Sequence, residues 1–367
     1  MAEASRTPSR RQFLQALGAV AVAWSPLGCG SACGGAGAER GGTAGTRAGT
    51  SAGAGASPGS TVSDPPRVAG SPGRPRVVVV KAKRTLTSGY DADRGALRTM
   101  LAAGLTALTG APDAGAALRR FFKQGETVGL KVNGLAGRQA ATHFELVDEV
   151  AALLRGIDVA GEHQVAFDRL SADLVAAGFT PNDRGDAYRC QGNDALGYEE
   201  EPALMPSSAS RLCRVLTERI TGVLNLPVLK QHMLSGVTGA LKNQFGCIDN
   251  PNKMHLERCD PYIAEVNAIP QIRSKQRLIV MDALRPVVDL GPSYQPGMAE
   301  AAHALLLGVD PVAIDTVGLE LLEALRKRRG LPPLAGGQLD PIHLQTAARM
   351  GLGVAERARI EVVTVEV

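Results

Sequence analysis

The sequence predicts an α/β domain built on a largely parallel or mixed sheet with helices on both faces, preceded by a disordered N-terminal segment. Three observations carry that expectation. Short β-branched or apolar runs alternate with stretches of helical spacing from Arg76 to the C-terminus. The residues from Gly30 to Pro75 are mostly Gly, Ala, Ser, Thr and Pro, too poor in apolar side chains to offset the entropy of ordering them. Past the leader, no uninterrupted apolar run reaches the roughly eighteen residues that a membrane-spanning helix needs.

Taken in order, Arg76 to Lys81 encloses the β-branched run Val77 to Val80 and reads as a strand, and Asp91 to Leu108 has apolar residues at helical spacing. Glu126 to Val132 reads as a buried strand, Phe144 to Leu154 as a helix, Gln164 to Asp168 as a strand and Ser171 to Ala177 as a helix. Strands follow at Gly222 to Leu226 and Leu278 to Asp282. A helix from Pro311 to about Arg329 buries Val312, Val317, Leu321 and Leu325, and ends on Lys327, Arg328 and Arg329, where cations suit the helix dipole. Arg359 to Val367 closes the chain as a last strand. Strands alternating with helices in this way argue for a sheet covered on both faces.

The chain begins with Ser9-Arg10-Arg11-Gln12-Phe13-Leu14 and a short apolar stretch from Ala16 to Trp24, which resembles a twin-arginine signal. Residues 1–29 are therefore read as that signal, 30–75 as a linker and 76–367 as the folded domain. Export through the twin-arginine translocon to the periplasm follows from this reading. Pro26-Leu27-Gly28-Cys29 has the form of a degenerate lipobox, which would make Cys29 a lipid anchor. Removing Glu3, Arg6, Arg10 and Arg11 with the leader lowers the net charge from +4 to +2, and aromatic residues are only 4% of the chain. A nearly neutral, aromatic-poor domain with scattered basic residues does not fit a nucleic-acid binder.

Open α/β sheets place ligands at the carboxyl ends of their strands, which singles out three segments. In the first, Lys131 lies inside an apolar strand and Asn133 and Gly134 follow at its exit; Lys131 and Asn133 either reach an anionic or carbonyl-bearing ligand or pair with a nearby carboxylate. The second runs from Leu226 through Lys230, Gln231 and His232 to Ser235-Gly236-Val237-Thr238-Gly239-Ala240-Leu241-Lys242-Asn243. Thr238 and Lys242, four apart, share a helical face, and if Ser235 to Thr238 opens the helix its free N–H groups join Lys230, His232 and Lys242 in an anion-receptive pocket; the alternative is an N-capped helix with two surface lysines. The order of glycines and lysine is not that of a phosphate-binding Gly-x-x-x-x-Gly-Lys-Ser/Thr loop. In the third, Asp282 ends a strand as a candidate general base or metal ligand, Asp310 caps a helix, and Asp315 either faces the site or supports the fold.

With those segments in view, the chain resembles the family called domain of unknown function 362. The likeness runs through Lys131-Val132-Asn133, Pro227 to His232, Val237 to Gly246, His255, Asp282, Asp310 to Asp315, and Gly351-Leu352-Gly353. Two positions depart from the family pattern: Val132 stands where a proline is usual and Ala283 where a glycine is. Some relatives carry ferredoxin-like cysteine clusters; this chain has no Cys-x-x-Cys spacing. The resemblance implies an α/β domain whose ligand is unassigned.

Cys190, Cys213, Cys247 and Cys259 fall in the domain, and an oxidising compartment would permit a disulfide among them. The leading functional expectation is an enzyme acting on a small anionic substrate. In it Lys131, Lys230 and Lys242 hold charge, Asn133, Thr238 and Asn243 orient the ligand, and His232 or His255 moves a proton with Asp282 in support. The alternatives are capture of an anion without turnover, or a metal or iron–sulfur redox protein using Cys247, His255 and Cys259. No metal set and no cofactor is assigned from the sequence.

Overall fold

The computed structural model describes residues 74–87 and 89–367. The expected signal, the Cys29 anchor and the linker up to residue 73 lie outside the described residues. The strands are β1 (Arg76–Lys81), β2 (Val128–Val132), β3 (Gln164–Asp168), β4 (Arg189–Gly192), β5 (Ala203–Leu204), β6 (Ala209–Ser210), β7 (Gly222–Leu226), β8 (Val228–His232), β9 (Gly236–Thr238), β10 (Gln276–Val287), β11 (Ala304–Gly308) and β12 (Glu361–Glu366). Ten of them form one sheet in the order β12-β1-β11-β10-β7-β2-β3-β4, with β8 and β9 attached to β10, while β5 and β6 pair separately. The sheet is parallel except where β11 runs antiparallel to β1 and β10, and β9 to β8. It is the mixed, largely parallel sheet that the alternation of elements predicts.

Both faces are covered, which is why the strands read as continuous apolar runs rather than alternating ones. Along β1, Val78 and Val80 join a layer with Leu97, Leu101 and Leu146 from the helices Arg94–Thr109 and Phe144–Arg155. Val77 and Val79 point the other way, to Val317 and Leu322 of the helix Pro311–Arg328. Asp310 starts that helix by accepting from the N–H groups of Val312 and Ala313, each at 2.9 Å, and Pro311 gives up no hydrogen bond at its first position. Farther along the sheet, Phe167 and Val223 face Phe245 and Ile263.

One feature of the sheet positions the site. β7 pairs in parallel with β2 as far as Val132↔Leu226 and with β10 on its other side. Pro227 then interrupts the strand, and the chain continues as β8, which stays with β10 and turns antiparallel onto β9. A proline has no N–H to give to a ladder, so the partnership with β2 ends there. The segment leaving β2 and the β8–β9 hairpin therefore diverge at the carboxyl ends of the strands, and polar side chains fill the wedge.

Candidate functional site

The floor of the wedge is a closed polar cage. Lys131 Nζ donates to Asp168 Oδ1 at 2.9 Å and to the Val132 carbonyl at 2.7 Å, and lies 3.5 Å from Asn243 Oδ1. Asp168, at the end of β3, also accepts from the Gly134 N–H at 2.6 Å. Gly246 lies so close that a Cβ there would overlap both Asp168 Oδ1 and the Lys131 ammonium. Of the two readings of Lys131, the structure therefore gives the paired one: its charge is spent on Asp168.

Lys230 is fully enclosed as well, donating to Asn133 Oδ1 at 3.0 Å and to the carbonyls of Ala140 at 2.8 Å and Leu135 at 3.3 Å. Burial, reinforced by the Lys242 ammonium and opposed by Asp168, pushes it down to about 7. Asn243 knits the two lysines together: its Oδ1 accepts from Asn133 Nδ2 at 3.3 Å, and its Nδ2 donates to the Lys131 carbonyl and to Asn225 Oδ1. Lys131, Asn133, Lys230 and Asn243 thus come together as predicted by position, yet they satisfy one another.

The helix expected from Ser235 forms later and shorter. Gly236 to Thr238 is strand β9, so Thr238 opposes Lys230 across a hairpin instead of sharing a helical face with Lys242. The helix covers only Ala240–Asn243. Its leading N–H groups are not free for an anion: Asp315 Oδ1 accepts from Ala240 at 2.6 Å and Oδ2 from Leu241 at 3.0 Å. Gly239 has no Cβ because one would overlap Asp315 Oδ1. Asp315 therefore tethers the Pro311–Arg328 helix to the segment that carries Lys242. Burial pushes its carboxyl up to about 7 against the pull of those two N–H groups.

Lys242 differs from the other two lysines. It lies 3.2 Å from His255 Nε2 and 4.5 Å from the Phe245 ring centroid, with no carbonyl or carboxylate partner among the described residues. His255 Nδ1 meets the Pro251 carbonyl at 3.1 Å, which assigns the proton to Nδ1 and leaves Nε2 to accept from Lys242. The His232 ring stacks on that of His255 with centroids 5.8 Å apart, and its Nδ1 accepts from the N–H groups of Leu234 and Ser235 at 3.1 and 3.2 Å. That bonding places the His232 proton on Nε2. Burial and the Lys242 charge hold His232 well below its ordinary range and push His255 down to about 4, so both rings are neutral at pH 7.

A third histidine, missed in the sequence, completes this cluster. His343 is buried within electrostatic reach of Lys242 and His232, and neither of its ring nitrogens has a hydrogen-bond partner. Burial and Lys242 push it down to about 3. The segment before it closes on the β8–β9 turn, where a Cβ at Gly236, whose φ is +77°, would overlap the Leu339 carbonyl. Thr238 Oγ1 is likewise buried without a partner. Unpaired buried polar atoms cost about 1–3 kcal/mol each, so these are groups that a polar guest would satisfy.

Asp282 does not join the two histidines expected beside it. Even-numbered residues of β10 such as Leu278, Val280 and Leu284 face the layer of the Phe144–Arg155 helix, and Asp282 shares their parity. There its Oδ2 accepts from His143 Nδ1 at 2.7 Å and from the His143 N–H at 2.9 Å, and Oδ1 from Leu284 N at 3.1 Å. The pairing lowers the Asp282 carboxyl against the opposing effect of burial, and it raises His143 despite that ring's own burial. Asp282 thus anchors His143, the residue at which the Phe144–Arg155 helix begins. Among the described residues Cys190, Cys213, Cys247 and Cys259 are buried free thiols, with no disulfide between them. Among the described residues no group of three or more His, Cys, Asp or Glu could hold a metal ion, so Cys247, His255 and Cys259 do not converge as a metal site would require.

Fold and site together define a class: a mixed α/β domain with a self-satisfied lysine cage where β2 and β8 part and a buried lysine–histidine cluster around Lys242. The chain belongs to the family described as Domain of unknown function (DUF362), whose model matches residues 128–320, from the start of β2 into the Pro311–Arg328 helix. No curated protein matches it. A crystal structure of a protein from Thermotoga maritima is similar over 67% of this chain, with 9% sequence identity and a TM-score of 0.34. This chain spans 61% of that protein's chain, less than two thirds of its length.

Proposed function

We propose that the domain binds a small anion in the chamber formed by Lys242, His232, His255, His343 and Thr238. The observation that supports this is a buried set of N–H and O–H donors that no carboxylate pairs with, in which Thr238 Oγ1 and both His343 nitrogens are unsatisfied. Capture fits His232 and His255 better than turnover does, because the ring lone pair of each is already engaged, by backbone N–H groups in one and by Lys242 in the other. His232 would present Nε2–H as a fixed donor. One observation favours turnover as a second reading: His343 keeps a free lone pair as well as a free N–H, which a proton-transfer group needs.

Titration calorimetry with acetate and with inorganic phosphate at pH 7.5 tests the proposal. An anion beside Lys242 offsets part of the charge that depresses Lys230, which lies at about 7 and so near the working pH, and the complex takes up protons there. The measured enthalpy should therefore differ between Tris and HEPES buffers in the direction of uptake. No binding of either anion at about 10 mM, a concentration that would reveal even a weak site of a few kcal/mol, overturns the reading.

We also propose export by the twin-arginine route, with the translocon as transient partner and Cys29 as the lipid attachment point if the lipobox is used. Arg10-Arg11 ahead of the apolar stretch supports this. Replacing both arginines with lysine should leave the protein in the cell interior, and undiminished export of that variant would refute the route.

A further inference from the structure

Resting on the anion-binding reading, we infer that the ligand is amphiphilic: a carboxylate seated at Lys242, with an unbranched apolar tail lying over a rim made by Leu135, Met233, Leu256 and Leu290. Seven large apolar side chains are exposed among the described residues, and these are four of them. Each hangs from a segment that touches the chamber or the cage beneath it. Leu135 gives its carbonyl to Lys230 at 3.3 Å. Met233 follows His232, and its N–H donates to the Gly291 carbonyl at 3.1 Å, which brings Leu290 alongside. Leu256 follows His255, whose ring stacks on His232. Isolated exposed leucines need no explanation, but four on segments tied to the buried lysines and histidines suit a site that takes an apolar ligand with one polar end.

Two further observations shape the ligand. Lys242 is the chamber's ammonium without a carbonyl or carboxylate partner, and the three rings around it are neutral, so one negative charge matches the chamber. A carboxylate supplies one, with two acceptor oxygens for Lys242, His232 Nε2–H and Thr238 Oγ1. Just beyond Leu256, Glu257, Arg258 and Cys259 are three successive non-glycine residues with left-handed φ of 47°, 61° and 65°. Such backbone is costly and persists where surrounding structure imposes it, often at ligand clamps, and here it adjoins the rim. This segment is where the closed chamber would open to admit a head group.

The test compares three probes by calorimetry on the full-length protein: acetate, octanoate and octanol. Each methylene withdrawn from water is worth roughly fourfold in affinity, so octanoate should bind roughly tenfold or more tighter than acetate even if only part of its tail is covered. Octanol, with a tail of the same length and no charge, should bind far more weakly than octanoate. The triple variant Leu135→Ser, Met233→Ser, Leu256→Ser should collapse the octanoate-to-acetate ratio towards one; all three positions are exposed, so folding is preserved. Equal affinities for octanoate and acetate would overturn the amphiphile while leaving the anion site in place. Octanol binding as well as octanoate would overturn it too, since the rim would then act without the lysine. If neither acid binds, the anion-binding reading itself fails and this inference falls with it.

Discussion

Asp168→Ala should destabilise the domain by about 3–5 kcal/mol, the range found when one partner of a buried ion pair is removed. Lys131 is fully buried and its Nζ has Asp168 Oδ1 at 2.9 Å as its one carboxylate. Without it the ammonium keeps the Val132 carbonyl and a long contact to Asn243, and the Gly134 N–H loses its acceptor at the same time. A loss of that size is a large part of the 5–15 kcal/mol that typically holds a domain together. Urea denaturation measures it. The double variant Lys131→Met, Asp168→Leu should recover much of the loss, because an apolar pair of similar volume removes both the stranded charge and the desolvation it demands. A single-variant loss under about 1 kcal/mol would mean that the pair is solvated in solution and that the cage is not closed.

The sequence revealed the site's ingredients better than its wiring. β1, β3 and β7 fall on the predicted residues, because β-branched or apolar runs bounded by breakers leave few alternatives. β10 overran its expected end at Asp282 by five residues, since Arg285 and Pro286 look like a stop signal yet lie in the part that runs beyond β7 alongside β8. β11 is not legible in the sequence, because Leu305-Leu306-Leu307 lacks β-branched residues and directly precedes a capped helix. The role of Asp315 is not decided by the sequence because its partners, the N–H groups of Ala240 and Leu241, are some seventy-five positions away in the chain. His343 had no signal at all. A single histidine between Ile342 and Leu344 looks like a core residue, and only the fold brings it to Lys242. Asp282 was misplaced because its partner, His143, lies 139 positions away in the chain and only the fold brings the two together.

Lys242→Met should do the reverse of Asp168→Ala: leave stability intact or slightly raised, and weaken anion binding by about 30-fold or more, the scale of losing a buried charge-assisted hydrogen bond of 2 kcal/mol or above. The two lysines are alike in burial and differ in partners. Lys131 is matched by a carboxylate, whereas Lys242 has a neutral ring nitrogen and an aromatic face, and burial lowers its pKa accordingly. A methionine of similar length packs on Phe245 without that desolvation cost. Removing the charge has a second signature with a fixed sign. Lys242 is among the causes that depress His232, His255 and His343, so in the variant all three should titrate nearer the ordinary histidine range, seen in the ring resonances by NMR. In the parent protein, rings depressed in this way contribute stability that is complete above about 6.5 and is lost as pH falls towards about 4 for His255 and about 3 for His343. The variant should therefore lose less of that contribution over the same interval. Unchanged histidine titrations together with unchanged anion affinity would show that the ammonium does not face the rings, and the chamber would have to be redrawn around Lys230. Upward shifts together with lost binding would establish that the fold keeps one lysine for its own stability and leaves the other for a guest.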